Sequence, residues 1–352
     1  MKRVRKILFY GELPHHSLHG ISMANQINLR MLETEFVIVK IEEVSRLKEH
    51  DRFTVYKLFQ FIGDNFTILS NSFSGRFDYF YLVFSTSVTG GLKSLAAIIS
   101  FRLFNRGNVV LHIHRGDFFT RYYKTLINKI LTKLIFSLSD KVVVLSENQK
   151  NEFQAFFKRP FFFLSNTVET ENTPILNKKN KGNFIYVSNY IIDKGIMDLL
   201  EVFSELSAIY EGITLKTYGE FTDMNLAEKI KKYESASISI NGPIKGLTKY
   251  DMIANSDCLI LPSWTEGQPV ILLEAMSVGT PVIASEVGLI PELLGDDYPF
   301  MTIPGDKESL KERLIRFIEC KDKSQISELL YDNYRNFYTN EKHYSVLMSI
   351  FI

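Results

Sequence analysis

The chain has 352 residues, with 41 Lys+Arg against 40 Asp+Glu and 45% hydrophobic content, the balance of a soluble globular protein long enough for two domains. No run approaches the roughly 18 apolar residues that a spanning helix needs, and two cysteines without paired spacing, Cys258 and Cys320, argue against a disulfide framework or zinc cluster. The near-zero total hides a division: residues 1–165 hold 23 basic and 13 acidic side chains, net +10, and residues 166–352 hold 18 and 27, net −9. A basic half attracts nucleic acid, anionic lipid or a phosphorylated acceptor, and charge alone does not choose among them. The basic start, residues 1–6, runs into a strand with no signal-like apolar region, which predicts a cytosolic protein.

In chain order, residues 7–10 read as a strand, 11–20 as a long loop, 21–32 as a helix and 36–41 as a second strand. Further strands fit 79–84, 109–114 and 141–145, and strands alternating with helices predict a parallel, doubly wound α/β sheet. Between them, 118–136 carries four basic residues and no acidic one, and as a helix it is amphipathic. Residues 166–182, poor in apolar side chains, read as the crossing between domains.

The pattern then restarts with a strand at 184–187, a loop to Gly195 and a helix through Met197, Leu200, Phe203 and Leu206. Strands fit 214–218, 237–240 and 257–262. After the last of these a loop leads into a helix with Pro269 at its first position and Gly279 at its exit, followed by a strand at 280–285. The aromatic-rich end, 331–352, reads as helix. The predicted division is 1–165, 166–335 and a terminal segment 336–352.

Glu266 and Glu274 are separated by eight positions, the first just before a helix and the second one to two turns inside it. The loop between them lies at the carboxyl end of a parallel strand, where open α/β sheets bind ligands, and the helix start offers free backbone N–H groups. Glu274 is flanked by Leu272, Leu273, Ala275 and Met276, so its carboxylate needs a partner. Two ribose hydroxyls would satisfy it, as would a Lys or Arg within the fold. His112 and His114 share one face by the two-residue period of a strand. They lack the third ligand of a zinc site.

Pro262-Ser263, Glu266-Gly267, Glu274-Ala275 and Gly279-Thr280-Pro281-Val282 resemble the E-x7-E signature of retaining glycosyltransferases of the GT-B fold, family 4. The resemblance implies two Rossmann-like domains facing across a cleft, with a C-terminal helix crossing back to the first. It implies transfer of a hexose-type sugar from a nucleoside-diphosphate sugar, UDP or GDP, without a metal, to a glycan or lipid-linked hydroxyl in surface polysaccharide assembly. The first domain would take the acceptor and the second the donor. By resemblance Glu274 holds the ribose, Glu266 contacts the donor sugar, and the backbone of Gly267, Gln268, Pro269 and Val270 lines the same pocket. Lys194 supplies charge to the diphosphate. Where relatives have Gly-Arg ahead of this lysine, the chain has Ser188-Asn189, so Asn189 offers hydrogen bonds without charge and Arg115 is a candidate substitute. Gly20 stands in the family's glycine loop, Gly242 and Ile244 where backbone holds the base, and His114 at the sugar, with His112 as the alternative.

A nucleotide-sugar epimerase of the same architecture and a non-catalytic partner subunit are the rival readings. For 118–136, contact with the inner face of an anionic membrane is the favoured role over RNA binding, since no recognition module is present.

Overall fold

The computed structural model describes residues 4–14, 19–43, 55–169 and 182–352. Residues 15–18, within the loop read at 11–20, and 170–181, most of the crossing read at 166–182, lie outside the described residues. The chain divides into two units, one of residues 1–167 with 340–352, the other Val168–Thr339.

The first unit runs β1 (Lys6–Gly11), α1 (Gly20–Leu32), β2 (Val37–Glu42), α2 (Val55–Ser74), β3 (Tyr79–Val83), α3 (Val88–Arg102), β4 (Asn108–His112), α4 (Leu126–Leu138), β5 (Lys141–Val144), α5 (Glu147–Phe156) and β6 (Phe161–Phe163). Its strands pair in parallel in the order β2-β1-β3-β4-β5-β6. Helices cover both faces, so the strands are apolar on both sides. Alternate residues feed different layers: Phe80, Leu82, Val109 and Leu111 join one core cluster, and Tyr79, Tyr81 and Val110 join the other. Side-chain oxygens of Ser87, Thr125 and Ser146 accept from the first turns of α3, α4 and α5, fixing where those helices begin.

The second unit runs β7 (Asn183–Val187), α6 (Ile196–Ser207), β8 (Thr214–Tyr218), α7 (Met224–Lys231), β9 (Ile238–Asn241), α8 (Gly246–Ala254), β10 (Cys258–Leu261), α9 (Val270–Ser277), β11 (Val282–Ser285), α10 (Ile290–Leu294), β12 (Met301–Thr302), α11 (Lys307–Glu319) and α12 (Ser324–Phe337). Its parallel order is β12-β11-β10-β7-β8-β9. Strand order reverses between β7 and β10, which makes the carboxyl ends of those two strands the expected ligand position. The last helix, α13 (Asn340–Phe351), returns to the first unit. Leu347, Met348, Ile350 and Phe351 complete the cluster containing Tyr79 and Tyr81, and Tyr79 Oη donates to the Phe351 carbonyl.

Four boundaries differ from the sequence reading. The strand read at 109–114 ends at His112, leaving His114 beyond it. The segment 118–136 is not one helix: a 3-10 turn at Tyr122–Lys124 precedes α4, which the Thr125 cap starts afresh. Residues 331–352 form parts of two helices, α12 and α13, broken at Tyr338 and Thr339. Pro269 is the N-cap of α9, with φ −70° and ψ 118°, instead of its first helical residue. Gly279 does close that helix, at φ +67°.

Candidate functional site

The loops leaving β7 and β10 are tied together. Gly195 adopts φ +68°, and a Cβ there would lie 2.0 Å from the Pro262 carbonyl oxygen, so only glycine fits this approach. Trp264 N donates to the Asp193 carbonyl at 2.8 Å, and Trp264 Nε1 donates to Asp198 Oδ2 at 2.9 Å. This stapling carries Lys194, the last residue of a 3-10 turn, to Glu266, with 2.7 Å between Nζ and Oε1. From the other side, the Leu289 N–H donates to the Gly267 carbonyl at 2.9 Å. Two residues that sequence reading assigned separately to phosphate and sugar therefore form one ion pair.

Glu274 sits in mid-helix in α9 and is 3% exposed. Lys249, on α8, donates to its Oε1 at 2.5 Å, while Oε2 has no hydrogen-bond partner among the described residues. Burial pushes the carboxyl above its ordinary range, and the Lys249 charge pulls against that shift. Ser263, fully buried just past β10, also has an unpartnered oxygen. Sequence reading allowed for a lysine beside Glu274 but did not find Lys249. The pairing joins two helices 25 residues apart in the chain, with no local spacing to reveal it.

The remaining second-unit candidates lie in or beside the loops that follow β7, β9 and β10. Asn189 is half-buried just after β7, and its carbonyl accepts from Ile191 N at 2.9 Å. Gln268 is buried and Val270 opens α9. Gly242 is exposed beyond the edge strand β9, and Ile244 packs partly against the core.

In the first unit, Gly20 opens α1 and His19 caps it, the His19 ring accepting from Ser22 N. The His112 and His114 rings lie 3.9 Å apart. His112 Nδ1 is 2.7 Å from Tyr81 Oη, Tyr81 accepts from Asn28 Nδ2 at 3.0 Å, and Asn28 Oδ1 is 2.6 Å from Nε2 of His343 on α13. The other ring nitrogen of His343 meets the Ser165 carbonyl at 2.7 Å. Both nitrogens of His114, in contrast, have no hydrogen-bond partner among the described residues. Burial, reinforced by His19 and His343, lowers the His114 pKa to about 3. His112 is pushed well below the usual range by burial and by His114, so both rings are neutral near pH 7. Arg115 is engaged by Asp117 and by Thr86 Oγ1 at 3.1 Å.

Two doubly wound parallel sheets of this kind define the GT-B fold. Sucrose-phosphate synthase from Thermosynechococcus elongatus superposes with a TM-score of 0.75 at 14% identity, over 98% of this chain and 97% of that one. Residues 168–330 match the family model described as glycosyl transferases group 1, and the match lies within the second unit. An uncharacterized glycosyltransferase of Methanocaldococcus jannaschii is 25% identical over 190 residues, covering 52% of this chain and 51% of its own. The amylovoran biosynthesis glycosyltransferase AmsD of Erwinia amylovora is 27% identical over 172 residues, 46% of this chain and 48% of its own. The chain thus spans about half the length of these two curated relatives. The matched family and these two curated relatives are glycosyltransferases, and the solved-structure match shows the GT-B fold.

Proposed function

We propose that the protein is a retaining, metal-independent family 4 glycosyltransferase that moves a hexose from UDP or GDP to a glycan or lipid-linked hydroxyl in cell-surface polysaccharide synthesis. The observation that carries this reading is the buried Glu274 carboxylate, with one oxygen on Lys249 and the other unpartnered, on the helix that follows the switch-point strand β10. A ribose hydroxyl donating to Oε2 would satisfy a group that otherwise bears an uncompensated desolvation cost. The name of the amylovoran relative supports the polysaccharide setting.

In this mechanism the second unit holds the donor and the first the acceptor. The Lys194 ammonium leaves Glu266 for the diphosphate and stabilises the departing charge. Glu266, released, accepts from hydroxyls of the donor sugar. Asn189 and the backbone of Gly267, Gln268, Pro269, Val270, Gly242 and Ile244 line the nucleotide and phosphates, and Gly20 keeps the donor-phosphate role that the resemblance gives it. As the glycosidic bond to phosphate breaks, an oxocarbenium-like centre forms, and the acceptor oxygen attacks the same face while its proton passes to the leaving phosphate. His114, neutral and with both nitrogens unengaged, is the ring assigned to the sugar. The acceptor side extends to the inner face of an anionic membrane, contacted through 118–136, with the protein on the cytoplasmic side.

Purified protein incubated with labelled UDP- and GDP-sugars and membrane extract tests this directly. Incorporated label supports transfer, an interconverted donor identifies an epimerase, and binding without turnover identifies a silent partner subunit. Glu274→Ala should weaken donor binding at least tenfold, and an unchanged affinity contradicts the ribose assignment.

A further inference from the structure

Resting on the membrane contact proposed above for 118–136, we propose that α2, α3 and α4 together form a docking face for an anionic phospholipid bilayer, of which that segment supplies only one edge. α3 lies between α2 and α4 in the layer covering one side of the first sheet. On α2 the outward positions Phe59, Ile62, Phe66 and Phe73 repeat at helical spacing, and Phe66 and Phe73 are 70% and 76% exposed. On α3 the outward positions include Leu92 and Ile99, and on α4 they are Leu126, Ile127, Ile130 and Leu134, all exposed. Phe73 and Phe104 meet edge to face at 5.2 Å while both stay more than half exposed, so these rings pack on each other outside the core. Isolated exposed apolar residues are ordinary, but three adjacent helices each presenting an apolar stripe to solvent are not.

The charge around this face says what covers it. Residues 55–138 carry ten Lys+Arg and three acidic side chains, Asp64, Asp78 and Asp117. All three acids are engaged within the fold, Asp64 by Tyr10 Oη, Asp78 by the Lys6 N–H and Asp117 by Arg115, and four of the ten cations are paired as well, Lys93 with Glu43, Arg102 with Asp140, and Arg115 and Arg121 with Asp117. The exposed basic residues stand beside the apolar ones: Arg76 follows Phe73, Arg106 follows Phe104, and Lys129 and Lys133 neighbour Ile130 and Leu134. Apolar side chains at acyl depth with cations at the headgroups is the arrangement of a helix lying in the plane of an anionic interface. No helix among the described residues is long and apolar enough to cross a membrane. A second protein chain would fit the apolar stripes but leaves the exposed Arg76, Arg106, Lys129 and Lys133 beside them unexplained.

The test needs no sugar donor, so its failure is distinguishable from failure of the transferase reading. Full-length protein is sedimented with sucrose-loaded vesicles of phosphatidylglycerol with phosphatidylcholine, and with vesicles of phosphatidylcholine alone. Retention on the anionic vesicles, with little on the neutral ones, is the expected result. Lys129→Glu with Lys133→Glu should weaken partitioning at least about tenfold, since each cation near such a surface contributes about fivefold. Phe66→Ser with Ile130→Ser should also release the protein, while circular dichroism and the urea midpoint stay at wild-type values because these positions are exposed. Wild-type protein that stays in the supernatant with anionic vesicles at low salt overturns the proposal. So does analytical ultracentrifugation showing a dimer that the Phe66→Ser/Ile130→Ser variant dissociates, which would assign the face to a second copy of the chain.

Discussion

Nε2 of His343 stands 2.6 Å from Oδ1 of Asn28, joining the last helix to α1. From Asn28 the contact continues to Tyr81 and then to His112. The polar chain crosses an otherwise apolar layer containing Phe9, Leu29, Leu347 and Phe351, so each member depends on the others for its partner. His343→Leu keeps most of the volume but removes the one N–H of a neutral imidazole, leaving a single acceptor, the Ser165 carbonyl or Asn28 Oδ1, without its donor. Loss of roughly 1–3 kcal/mol of stability in urea unfolding is expected, the cost of one buried polar group left unsatisfied. A change under 0.5 kcal/mol would show that the chain does not hold α13 in place.

The same histidines set a pH dependence. A free histidine titrates near 6.5, whereas burial lowers His343 to about 4 and His114 to about 3. Between pH 6.5 and 4 the unfolded chain therefore binds protons that the folded chain refuses. Stability is full above pH 6.5 and falls as the pH drops through that window, by about 1.4 kcal/mol per pH unit for each such histidine. Urea midpoints at pH 7, 6 and 5 check this, and His343→Gln should give a shallower decline. Midpoints that do not move between pH 7 and 5 contradict it.

Lys249 and Glu274 make a buried pair whose halves are unequal in consequence. Lys249→Met leaves the carboxylate nine-tenths buried with neither oxygen partnered by protein, an expected loss of about 3–5 kcal/mol. Adding Glu274→Gln to that variant removes the stranded charge and should recover most of the loss. A double-mutant cycle by thermal or urea unfolding separates the two, and additive effects would mean that the pair carries no coupling.

The strands were legible in the sequence because a parallel sheet covered on both faces needs unbroken apolar runs, as in Tyr79–Val83 and Cys258–Leu261. β6 was missed: Phe161–Phe163 is only three residues long, too short after Pro160 to show the periodicity of a strand. The segment 118–136 was read as continuous because its periodicity is continuous, whereas the break depends on one hydroxyl, Thr125 Oγ1, capping at Asn128 N. Lys194 and Glu266 were each found by local pattern. That they neutralise one another was not legible, because the contact depends on the close approach of Gly195 to Pro262. His343 escaped notice for a similar reason: its partners lie more than 170 residues away in the chain.

That close approach can be tested with two glycines of similar backbone conformation. Gly195 and Gly212 have φ +68° and +82°, and an added Cβ meets the Pro262 oxygen at 2.0 Å in the first case and nothing within 4 Å in the second. Gly212→Ala should thus cost only the left-handed strain of an L-residue, about 1–2 kcal/mol. Gly195→Ala adds a backbone clash that the β10 loop relieves only by moving away from the Lys194 turn. A larger loss of stability is expected, together with at least a tenfold fall in sugar-transfer rate that Gly212→Ala does not share, because Lys194 and Glu266 lose their shared position. Unfolding midpoints and transfer rates measured side by side decide the matter. Equal effects from the two substitutions would mean that the Gly195 contact contributes nothing to placing the lysine.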